Sequence, residues 1–172
     1  MAVTMLIGFN SCNEVAKLVD FGIPMTFEEQ LEMDISSTDD NVFENVMVID
    51  ASGNQDVKDN IDNIANFDIG KLTFKISSFT GNDAIVSDGF VQFFNDEGNI
   101  GNPISTGLIE FRKLTDSGNE VEIPVDNDLK NTLEEKLLND QIFSMRIYGT
   151  VSDKPMKADI SVFITVEAKV KF

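Results

Sequence analysis

Clusters of acidic side chains in turns are the groups whose types and spacing come closest to chemistry. Asp50, Asn54 and Asp56 fall near one turn, Asp96 and Glu97 near another, and Asp126 and Asp128 near a third. Carboxylate and amide oxygens suit a hard cation, and sandwich loops can present them to calcium. Asp50, Asn54, Asp56, Asp126 and Asp128 are therefore the candidate calcium ligands. None of the turns matches the EF-hand loop, which demands glycine at its sixth position; in the segment opened by Asp126 that position is Asn131. Asp, Asn, Ser and Gly also build turns through side-chain bonds to the backbone, and that account needs no metal.

Catalysis is poorly provided for. The chain holds no histidine. It therefore lacks the usual general base, the Ser-His-Asp and Cys-His nucleophile systems and the imidazole ligands of zinc, copper and iron. A carboxylate pair can cleave a glycosidic bond, but a sugar cleft needs stacking surface, and there is no Trp. Neither a phosphate-cradling glycine loop nor Gly-x-Ser-x-Gly occurs. The expectation is a non-enzyme without a cofactor.

Charge narrows the partners. Thirteen basic residues against 30 acidic ones give a net charge of −17. Such a field repels phosphate backbones, which argues against nucleic acid. It also repels anionic headgroups, so any membrane attachment must come from an anchor. Phe supplies 14 aromatic residues against one Tyr. Phe has no polar handle, so most of this aromatic surface belongs in a core.

The one cysteine, Cys12, cannot form an internal disulfide or a thiolate metal site. It follows an uncharged start, with Leu6-Ile7-Gly8-Phe9 before Asn10 and Ser11-Cys12. Here the sequence resembles short bacterial lipoproteins, whose leader ends in an apolar stretch and a small residue before the lipidated cysteine. No Lys or Arg precedes the run, which is short for a leader. The resemblance implies a truncated signal-peptide-like segment over 1–11, acylation of Cys12, a tether over 12–22 and one domain over 23–172. It places the protein in the bacterial cell envelope, at the outer membrane or cell surface. The competing account makes Cys12 a buried core thiol.

The remaining chain must supply the scaffold. From Ile23 to Ile35 the odd positions are apolar except Glu29, and the even ones are Pro, Thr, Glu, Gln, Glu and Asp. That period of two predicts a long half-buried strand, with Pro24 near an edge. Strands are also expected at 42–49, 67–79, 84–94, 104–113, 120–124, 142–150 and 158–172. The strand at 84–94 is apolar on both faces and needs cover on both. Lys169 and Lys171 read as guards of an exposed edge. Helical spacing predicts one short helix over 55–65, capped by Asn54, and another opened by Asp126 with Leu129, Leu133 and Leu137 inward.

The sum is a mainly β chain, an antiparallel immunoglobulin-like β-sandwich with two short helical insertions. The functional expectation is a lipid-anchored, non-catalytic binding or structural module with a protein partner. The alternatives are an interaction subunit without an anchor and a calcium-stabilised adhesion or carbohydrate-binding module. Expression from the natural gene with a labelled fatty acid tests the anchor. Label should enter the wild-type protein and vanish in Cys12→Ser; equal labelling, or none in either, refutes acylation.

Overall fold

A computed structural model describes residues 21–83 and 85–171. Among these residues the strands are β1 (Phe21–Ile35), β2 (Val42–Asp50), β3 (Ile64–Thr80), β4 (Val86–Asn95), β5 (Gly98–Glu110), β6 (Val121–Ile123), β7 (Ile142–Val151) and β8 (Met156–Val170). The helices are α1 (Gln55–Asp59), α2 (Phe111–Ser117) and α3 (Asn127–Asp140). Two four-stranded antiparallel sheets form, in the orders β1-β8-β3-β6 and β2-β7-β4-β5. The expected antiparallel β-sandwich is therefore present. Its connectivity refines the immunoglobulin-like expectation. Successive strands cross between the sheets, except in the β4–β5 hairpin, and this is the order of a jelly roll.

The alternating residues become the core as the pattern requires. Ile23, Met25, Leu31, Met33 and Ile35 of β1 are buried, and Glu29 is exposed. Among the described residues β1 pairs only with β8, which puts Pro24 on an edge strand there. Inward-side charge and acidic neighbours on such an edge discourage pairing with foreign strands. β8 buries Met156, Ala158, Val162, Ile164, Val166, Ala168 and Val170. It lies between β1 and β3, so Lys169 and Lys171 guard no edge; Lys169 instead ion-pairs with Glu167. The strand ends at Val170, and Phe172 is outside the described residues.

Several boundaries move for local reasons. The first strand starts at Phe21, so Phe21 and Gly22 are sheet rather than tether. Residues 1–20, including Cys12 and the segment around it, lie outside the described residues. The helix expected over 55–65 stops at Asp59 and is followed by a 3-10 turn, Ile61–Asn63. Ile64 then pairs with Val170, so strand pairing takes the residues that weak helix formers would have held. β5 begins at Gly98, directly after the Asp96-Glu97 turn, and ends before Phe111. Phe111 opens a helix too short to show periodicity, and its ring stacks on Phe79 at 5.4 Å.

α3 closes one end of the sandwich. Asp126 Oδ1 accepts from the Leu129 amide at 2.8 Å and caps the helix. Leu129, Leu133 and Leu137 are buried, each contributing roughly 1.5–3 kcal/mol. Glu134 accepts from the Ile69 amide at 2.9 Å, where the β3–β8 register slips. Lys130 meets Asp68 at 2.9 Å.

A second irregularity depends on one amide. Gly101, Asn102 and Pro103 of β5 stand opposite Gln92 alone. The Gln92 side chain is buried and its Nε2 donates to the carbonyls of Phe93, Ile100 and Gly101, at 2.8, 3.1 and 3.3 Å. Gln92→Leu strands those carbonyls and should cost roughly 1–3 kcal/mol in urea unfolding. An unchanged midpoint and slope would show that the bulge holds itself.

Candidate functional site

The acidic turns are occupied by their own backbone. Asp50 Oδ1 accepts from the Ser52 amide at 2.9 Å and the Ser52 hydroxyl at 2.5 Å. Asn54 Oδ1 accepts from the amides of Asp56 and Val57 and caps α1. The Asp56 side chain is exposed in the first turn of that helix. Asp126 caps α3, and Asp128 stands exposed in its first turn. Gln141, just past the far end of α3, accepts from the Ala51 amide at 2.9 Å. The Asp50 and Asp126 turns are thus held about 20 Å apart by the length of the helix. Asp96 and Glu97 form the β4–β5 turn, where Lys136 donates to Glu97 at 2.8 Å. That hydrogen bond, with the nearby ammonium charge, holds the Glu97 carboxyl below its ordinary range. Among the described residues, no group of three or more His, Cys, Asp or Glu is gathered for a metal.

The structure brings together two features that the acidic residues do not. The first is the outer face of the β2-β7-β4-β5 sheet. Val42, Val46 and Val48 of β2 are 60%, 43% and 54% exposed, and Ile142 and Leu108 are exposed on β7 and β5. Beside them Phe90 stacks on Tyr148, with ring centroids 5.7 Å apart. The Arg146 guanidinium lies 4.9 Å from the Tyr148 ring centroid and 3.7 Å from Glu44. Its Nε is buried without a hydrogen-bond partner. The outer face of the other sheet differs. There β1 presents Thr26, Glu28, Gln30, Glu32 and Asp34, and the β8 neighbours of Glu32 and Asp34 are Asp159 and Lys157. The sequence signal was β2 itself, apolar on both faces while lying on an edge.

The second is a cavity of about 270 Å³ between the sheets. It follows from a taper in the inward residues. Along β4 these run Ser87, Gly89, Val91 and Phe93; along β7 they run Val151, Gly149, Ile147, Met145 and Phe143. The large side chains fill the α3 end, and the small ones leave space at the other. Gly149 stands opposite Gly89, and a Cβ on Gly149 would lie 2.3 Å from the Asp88 carbonyl oxygen and 2.9 Å from the Phe43 ring. The close backbone approach therefore requires glycine. The mouth lies at β1 and β2, which pair with β8 and β7 and not with each other.

The caps account for the acidic turns without a cation, so Asn54→Ala and Asp126→Ala should each destabilise by about 1 kcal/mol. Melting with calcium and with a chelator should give the same loss. A wild-type melting temperature that rises with calcium, and fails to rise in these variants, would restore the calcium reading.

No family model matches the sequence, and no curated protein matches it. Solved structures align with it at low similarity. A chain of Desmodium yellow mottle tymovirus aligns over 100% of this chain and 95% of its own, at 10% identity and a TM-score of 0.36. A chain of turnip yellow mosaic virus aligns over 87% of this chain and 96% of its own, at 10% identity and TM-score 0.34. A chain from a marine algae virus of the order Picornavirales aligns over 98% of this chain and 78% of its own, at 14% identity and TM-score 0.40. Likeness at this level fixes no function for the chain.

Proposed function

We propose that this protein is a non-catalytic structural module that associates with further copies of itself through the outer face of the β2-β7-β4-β5 sheet. The observation that carries the reading is the contrast between the two outer faces. One bears exposed valines around an Arg146–Tyr148–Phe90 centre flanked by Glu44 and Asp88, and the other bears Glu28, Glu32, Asp34, Asp159 and Glu167 with Lys157 and Lys169. Arg and Tyr anchors ringed by apolar residues are the composition of a binding surface. Exposed apolar patches on soluble proteins mark such surfaces.

Charge selects the partner and the geometry. Two copies, each carrying −17, repel wherever their carboxylates face each other. Contact on the valine face sets fewer carboxylates opposite one another than contact on the β1–β8 face would. Closed symmetric pairing on one such face is the commonest form of association between identical chains. The location of the assembly is a separate matter, and the cell-envelope reading is supported by the Ser11-Cys12 sequence alone.

Sedimentation equilibrium tests the association. Self-association limited by charge repulsion should strengthen as salt rises, since salt screens the repulsion and spares apolar contact. The Val46→Asp/Val48→Asp double variant should stay monomeric across the same range while keeping the far-ultraviolet dichroism of the folded sheet. A wild-type protein that remains monomeric at all salt and protein concentrations sinks the reading. So does a double variant that associates as well as wild type.

A further inference from the structure

We infer that the cavity between the sheets is a binding site for a small, uncharged, mostly apolar molecule that carries one hydrogen-bonding group. The argument begins with Ser87. Its side chain is buried, the residue being 1% exposed, and its hydroxyl has no hydrogen-bond partner. A buried polar group left unpaired is costly, and a chain that keeps one in an apolar wall calls for an explanation. Ser87 lines the cavity, so a ligand inside can complete the missing bond.

The rest of the wall fixes the class of molecule. Leu31, Met33, Phe74, Ile109, Phe111 and Val162 surround the space with apolar surface. A cavity of about 150 Å³ takes benzene, so one of about 270 Å³ has room for roughly ten heavy atoms. Glu32, Asp34 and Glu44 stand among the residues at the β1–β2 mouth. Asp34 is paired with the ammonium of Lys157 and Glu44 lies 3.7 Å from the Arg146 guanidinium, which leaves the mouth with more negative charge than positive. An entering carboxylate or phosphate meets negative charge at the mouth and finds no cation in the apolar wall beyond it. A neutral alcohol meets neither penalty. The lateral opening needs no strand to be peeled away, because no ladder joins β1 to β2.

The space is also specific to this end of the sandwich. It exists because Ser87, Gly89 and Gly149 occupy inward positions that carry Phe93, Met145 and Phe143 farther along the same strands. Gly149 is fixed by the backbone approach described above. Ser87 is under no such constraint, since leucine or valine would have filled the gap and removed the orphan hydroxyl.

Methionine-methyl NMR on the full chain tests the site with 1-octanol and octanoate as probes. Met33 lines the cavity, whereas Met25, Met47, Met145 and Met156 do not. Octanol should move the Met33 methyl in a saturable way and leave those four in place. Octanoate at the same concentration should do markedly less. Ser87→Leu should remove the octanol response and match or exceed the wild-type melting temperature. Should that variant fail to fold, Ser87→Ala keeps the space and loses the bond. It should melt no lower than wild type and bind octanol several-fold more weakly. The inference is overturned if Met33 does not respond, if all the methionines respond alike, or if octanoate matches octanol. It is equally overturned if a folded Ser87→Leu still saturates.

Discussion

The pairing of β8 on both of its sides is the constraint on which the fold depends. Met25 stands beside Val166 of β8, and Val166 beside Ile69 of β3; Leu31 stands beside Ile160, and Ile160 beside Ile76. A slip of one residue would turn the buried row of β8 to solvent along both neighbours at once. The β1–β8 ladder runs without a shift, and the β3–β8 ladder is interrupted at three places along β3. At the β3–β8 shift between Ile69 and Leu72, Glu134 takes the Ile69 amide and Thr165 of β8 takes the Lys71 amide at 2.8 Å. β5 bulges where Gln92 can reach it. At both of these places a side chain satisfies the backbone that the ladder leaves free.

From that centre the division of the surface follows. The sheet built on β8 shows solvent a charged face, and the sheet built on β7 shows one where exposed valines stand among Glu44, Asp88 and Arg146. The interior is divided as well. Phe93 and Phe143 pack edge to face, with centroids 5.6 Å apart, at the end closed by α3. Ser87, Gly89 and Gly149 leave the opposite end unfilled. Surface and interior are each asymmetric, and the cavity mouth opens at β2, the strand that also carries the exposed valines.

The strands were legible in the sequence because alternation reports burial directly. Ile23 to Ile35 and Ala158 to Val170 are half-buried on long sheets, so their pattern survives. Elements whose identity is settled by distant partners were not legible. Ile64 reads as helix until Val170 is known to lie beside it. Phe111 reads as the end of a strand until Phe79 offers it a ring to stack on. The position of β8 was hidden for the same reason, since Lys169 looks like an edge guard when its neighbours are unknown. Of the site, the acidic turns were visible, and Asp50, Asn54 and Asp126 make the backbone hydrogen bonds of turns and caps. The cavity was not, because a serine and two glycines in separate strands carry no pattern until register aligns them.

The partnership of β1 with β8 also governs how the chain can be made. Phe21 has its partner in Val170, so the first described strand of the sandwich pairs with the last described strand to be synthesised. At ordinary translation speeds β1 waits on the order of ten seconds with its row of Ile, Met and Leu unpaired. Long-range closure of this kind is slow even after synthesis ends. During that interval Glu28, Glu29, Glu32 and Asp34 are the main protection β1 has against joining another unfinished chain. Charges that flank a hydrophobic strand serve as gatekeepers against aggregation. The acidity of this edge is then a property of the nascent protein as much as of the finished one.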